Sequence, residues 1–186
     1  VNEGKIDVDL INDACRRILT VKYKLGLFED PYRYSDEERE NKTIYKPEYL
    51  KAARESAAMS SVLLKNDNNA LPLLKSETIA LIGPLVKDKE NIIGNWAAAG
   101  DRNGKAISIF QGIKSYLNGA NILYAKGCDV DTNNKSGFKK AISYAKEADK
   151  IVLVMGENYH MSGEAASRTN IKIPGVQTEL IKALRK

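Results

Sequence analysis

Apolar positions recur with two different periods along this chain, and the change of period divides it. Leu10, Ile11, Ala14, Ile18, Val21 and Leu25 return at helical spacing, with Asp7 or Asp9 placed to cap the start and Gly26 suited to the exit. A polar run, Ser35 to Lys42, follows with few apolar anchors and reads as a linker. A helix is then predicted from Pro47, where the missing N–H of proline costs nothing, through Leu50, Ala53, Ala57 and Ala58. Ser61–Lys65 reads as a short strand closed by the turn cluster at 66–69.

From Thr78 the pattern becomes an alternation of strands and helices. Thr78–Ile82, Asn121–Tyr124 and Ile151–Met155 are continuously apolar, as burial between two helical layers requires. Between them lie helical patterns at Ile109–Leu117, capped by Ser108, and around Phe138, Ala141, Ile142 and Ala145. A last helix is expected with Pro174 as its first residue and Val176, Leu180, Ile181 and Leu184 as its apolar face. The expected fold class is α/β: a partial three-layer α/β/α sandwich with a mainly parallel sheet and right-handed crossovers. The chain starts on a polar stretch without an initiator Met and stops at Leu184-Arg185-Lys186 inside a helical pattern, so it is expected to be part of a longer protein.

Composition narrows the function classes. Apolar residues at 43% and charged residues at 28% describe an ordinary globular domain, and no apolar run approaches the roughly 18 residues that span a bilayer. The net charge of +5 comes from interspersed Lys and Arg rather than a basic stripe, which argues against nucleic acid as a partner. One histidine and two cysteines give neither a metal-ligand spacing nor a disulfide framework, so no metal is expected. Cys15, inside a helical pattern, reads as a small buried apolar group. Gly100–Ala106 has one residue too few between its glycines for a phosphate loop and no hydroxyl after Lys105.

Open α/β sheets bind ligands beyond the carboxyl ends of their strands. Only the loop after Met155 is rich in reactive groups: Glu157, Tyr159, His160, Ser162, Glu164, Ser167 and Arg168. Two carboxylates in such a loop suit glycosidic bond cleavage, where a carboxyl protonates the leaving oxygen. A loop that merely carries surface charge fits the same residues.

The ordered set of motifs resembles family 3 glycoside hydrolases, of the bacterial β-glucosidase type. Arg17 to Tyr32 resembles the segment closing their barrel domain, and Ser61–Asn66 with Leu71-Pro-Leu73 resembles the entry into their second domain. Ile79–Pro84, Gly94-Asn-Trp96, Tyr124–Cys128, Gly156-Glu157, Gly163–Arg168 and Ile173–Gln177 continue the match. The resemblance implies a (β/α)8-like barrel helix at 1–30, a linker at 31–46 and the N-terminal part of the α/β sandwich at 47–186. It implies a retaining exo-acting β-glycosidase for terminal β-linked glucose or a related sugar, with no cofactor. Glu164 best matches the acid/base and Glu157 is the second choice; Arg168 would order the loop. Trp96 matches a substrate-binding position, but the second aromatic of that clamp is Gly100 here, so a buried Trp96 is the simpler reading. The nucleophile Asp belongs to the barrel upstream of Val1, so this chain by itself is expected to be inactive. The expected partners are a β-linked oligosaccharide and the barrel domain, neither nucleic acid nor membrane, and the expected setting of the parent is periplasmic or extracellular. The alternative is a non-catalytic sugar-binding or interaction module on the same sandwich.

Overall fold

The computed structural model describes residues 1–97, 104 and 106–185. Most of the Gly100–Ala106 stretch discussed above, Gly100 included, lies outside them. Two compact units are present, Val1–Leu64 and Lys65–Lys186.

The first unit is helical. Helix α1 (Val8–Lys24) is capped by the Asp7 carboxylate, which accepts from the Asp9 N–H at 3.0 Å. Its apolar stripe is bare: Leu10, Ile18 and Val21 are all more than half exposed, and no residue of the helix is buried. Cys15 is exposed as well, which corrects the expectation of a buried thiol. The polar run read as a linker contains a helix, α2 (Glu37–Thr43). Local forces suffice to form it: Asp36 accepts from the Arg39 N–H at 2.9 Å, three acids occupy the first turn, and Lys42 pairs with Glu38 one turn earlier. Helix α3 (Pro47–Ser60) starts at its proline as expected, and groups with this unit rather than with the sandwich.

The second unit is built on a three-stranded parallel sheet of order β2-β1-β3. Strand β1 (Thr78–Ile82) is central, between β2 (Asn121–Ala125) and β3 (Lys150–Leu153). Helix α4 (Ile109–Tyr116) connects β1 to β2, and α5 (Phe138–Glu147) carries the chain back across β1 to β3. Moving in opposite directions from β1, right-handed crossovers must place these helices on opposite faces. The packing agrees. Ile79 and Leu81 join Val86, Leu117, Phe110 and Ile113 on one face. Ala80 and Ile82 join Ala125, Ala141, Val176 and Leu180 on the other, where α5 and the final helix α6 (Gln177–Leu184) lie. Helix α4 opens with a capping box in which Ser108 and Gln111 each accept from the other's backbone N–H, at 3.3 and 3.1 Å.

Two expected elements differ. Ser61–Lys65 forms no strand, and Val62, Leu63 and Leu64 are exposed; a β-propensity run becomes a strand only where a neighbour accepts its ladder, and none of the described strands does. Helix α6 begins at Gln177, not Pro174, because Gly175 has φ +59°, outside the helical region.

Since Leu81 has no exposed surface, Leu81→Ala should cost about 2–5 kcal/mol of unfolding free energy in chemical denaturation. Burial pushes the Cys128 thiol up, with Asp129 adding to the shift, so a thiol reagent should label Cys15 at once and Cys128 only on unfolding.

Candidate active site

The strand order places a topological switch point at β1. The chain leaves β1 for β2 on one side and returns to β3 on the other, so the loops after β1 and β3 diverge from adjacent strand ends and leave a crevice. The acid-rich segment follows β3. A register bond continues past the strand, with Val154 N–H donating to Ile82 O at 2.9 Å.

Gln177 fixes the start of this segment. It is fully buried at the first position of α6, and every polar atom of its amide is used. Its Oε1 accepts from Gly156 N–H at 2.9 Å; its Nε2 donates to Gly156 O at 2.8 Å, Val130 O at 2.7 Å and Pro174 O at 3.2 Å. One side chain therefore joins the β2 exit, the β3 exit and the entry to α6. In the sequence Gln177 shows only as a polar residue amid apolar ones at a helix start, which signals a cap more readily than a hub.

The two candidate carboxylates sit in different surroundings. Glu157, next to Gly156, is ion-paired with Arg168, whose Nη2 also donates to Lys172 O at 3.0 Å. Arg168 thus closes the segment back on its own beginning, as a side chain that orders a loop would. Glu164 lies at a turn tip: Ala166 N–H donates to Gly163 O at 3.2 Å in an isolated antiparallel bridge, with Glu164 and Ala165 between. Glu164 is exposed, and among the described residues nothing pairs with its carboxylate.

The loop after β1 meets this segment through two asparagines. Asn91 Oδ1 accepts from Tyr159 N–H at 2.6 Å, and Asn95 Nδ2 donates to Tyr159 O at 2.9 Å. Beside this junction is a pocket of about 310 Å³ lined by Asp88, Asn91, Asp129, Tyr159 and His160, among others. Hydrogen bonds from Lys126, at 2.5 Å, and from Thr132 hold the Asp129 carboxyl below its usual range. A lowered carboxyl stabilises the fold above the ordinary carboxylate range, and that contribution is lost as pH falls through the folded value. Among the described residues no cluster of His, Cys, Asp and Glu could hold a metal ion. Trp96, one residue beyond Asn95, is 74% exposed, which corrects the buried reading: its loop lies at the strand ends, outside the layers that would cover it.

In this doubly wound α/β unit the exposed carboxylate of Glu164 lies on the segment that follows β3. The model of the "Glycosyl hydrolase family 3 C-terminal domain" matches residues 61–186, and the chain belongs to that family. It is 39% identical to a periplasmic β-glucosidase of Salmonella typhimurium, over 100% of this chain and 27% of that protein. A β-xylosidase of Formosa agariphila is 40% identical over 95% of the chain and 25% of the relative. A crystal structure of a β-glucosidase from Listeria innocua in complex with isofagomine superposes with a TM-score of 0.85 at 30% identity, covering 100% of this chain and 26% of that one. The chain therefore spans about a quarter of the length of these relatives.

Because Gln177 leaves four backbone groups unpaired when removed, Gln177→Leu should destabilise the second unit by roughly 2–4 kcal/mol in thermal or urea unfolding, although it adds apolar volume.

Proposed function

We propose that this chain supplies the acid/base half of a retaining exo-acting β-glycosidase, with Glu164 as the acid/base. A barrel domain of the same protein supplies the nucleophilic Asp and the groups that grip the sugar. The substrate is a terminal β-linked glucose or a related sugar. The relatives' names, β-glucosidase and β-xylosidase, support that class. In the first step the Asp attacks the anomeric carbon while Glu164 gives its proton to the departing glycosidic oxygen. In the second, Glu164 takes a proton from water as that water displaces the Asp, so the carboxyl ends as it began. The two carboxyls must come within about 5.5 Å for this, which a carboxylate on an exposed turn tip permits.

The observation that carries the assignment is the contrast between the two glutamates. A general acid must face an incoming oxygen, and Glu164 is exposed and has no partner among the described residues. Glu157 is ion-paired with Arg168, which occupies its carboxylate. Its role is to order the segment. The exposure of Trp96, on the adjoining loop, supports a stacking role for it on an acceptor-side sugar. The bare apolar stripe of α1 fits packing against the barrel, and the periplasmic relative supports an exported parent. Without the opposing carboxylate the isolated chain forms no covalent intermediate and has no turnover.

In the full-length parent, Glu164→Ala should lower kcat/KM about 10²–10⁴-fold for β-glucosides with poor leaving groups and far less for activated aryl glucosides, which leave without a proton. Glu157→Ala should slow both classes alike. If Glu157→Ala shows the leaving-group dependence and Glu164→Ala is silent, the two roles are exchanged.

A further inference from the structure

We infer that Asn95 is the positioning residue for the acid/base turn, an assignment that rests on Glu164 being the acid/base. The Glu164 carboxylate has no hydrogen bond of its own among the described residues, so its place is set by its backbone. The segment from Glu157 to Arg168 is irregular and has no ladder beyond the one bridge between Gly163 and Ala166. Gln177 and the Glu157–Arg168 pair hold its ends, so what locates the stretch between them must come from elsewhere.

Asn95 touches it twice. Its Nδ2 donates to Tyr159 O at 2.9 Å, and its amide lies against the bare α-carbon of Gly163, one residue before Glu164. A Cβ built on Gly163 would meet Cγ and Oδ1 of Asn95 at 2.4 Å and Nδ2 at 2.8 Å. Gly163 also has φ +131°, a conformation costly to any side chain. Glycine at 163 thus lets the Asn95 amide in, and the amide fixes both ends of the Tyr159–Gly163 stretch. Asn91 completes the clamp: Asp88 accepts from its N–H at 2.7 Å and its Nδ2 at 2.9 Å, which turns its Oδ1 to the Tyr159 N–H. The loop after β1 therefore holds the segment carrying Glu164 across the switch point, and couples the place of the acid to the loop bearing Trp96.

The test uses the full-length parent with β-glucosides of graded leaving group. Asn95→Ala leaves Glu164 chemically intact but loosely held. It should cost about tenfold in kcat/KM with poor leaving groups and less than about threefold with activated ones, because small misplacements of a catalytic group are expensive in rate. Gly163→Ala, which drives a methyl into the Asn95 amide, should change the leaving-group dependence in the same direction. In an Asn95→Ala background the added Gly163→Ala should cost clearly less than in the native enzyme, since the two act through one contact. Near-UV circular dichroism and Tm identify variants that have lost the fold, and Gly163→Ala keeps the question open to test if Asn95→Ala is one of them. A uniform loss across all leaving groups, or strictly additive effects of the two substitutions, overturns the proposal while Glu164 keeps its role. A flat response to Glu164→Ala itself overturns both.

Discussion

Strand β1 is hydrogen-bonded on both edges and packed on both faces, and the rest of the second unit follows from that. Ile79, Ala80, Leu81 and Ile82 have no exposed surface. Alternate residues feed two separate apolar clusters, one under α4 and one under α5 and α6. Fully burying a side chain such as Ile or Leu contributes about 1.5–3 kcal/mol, so this short strand anchors both helical layers at once. Its central place also dictates where chemistry can occur, since the chain must leave to one side of it and return on the other.

The loops at the switch point so formed are joined to one another by amides. Gln177 ties the exits of β2 and β3 to the entry of α6, and Asn91 and Asn95 join the loop after β1 to Tyr159. Amides suit this work because each offers both donor and acceptor and satisfies backbone groups without importing charge. Charge enters through the Glu157–Arg168 pair, which closes the segment, the Lys126–Asp129 pair after β2, and the exposed carboxylate of Glu164. Of these two glutamates, seven positions apart, Glu157 has a cation beside it, and among the described residues Glu164 has none.

Helix α1 shows the opposite condition. Its sequence is amphipathic, yet its apolar stripe is uncovered within its own unit. Helical periodicity states that a face wants burial and is silent about what covers it. In the proposed parent the barrel is that cover.

What the sequence by itself determined is what short-range chemistry decides. The apolar runs at Thr78–Ile82 and Asn121–Tyr124 became strands, Ser108 and Pro47 began helices, and alternation of strand and helix implied a parallel layered sheet, because period and capping are local properties. The Glu157–Arg168 loop was recognisable by its reactive groups directly after an apolar run. Short-range reading also missed local signals, such as the Asp36 cap and paired charges that make α2. Tertiary structure decided the rest. Ser61–Lys65 had strand propensity but no ladder to join, and Trp96 and Cys15 had apolar character but no cover. The parts played by Gln177, Asn91 and Asn95 depend on backbone atoms 21 to 68 positions away, and no spacing along a chain encodes a contact that exists only once β1 and β3 lie side by side.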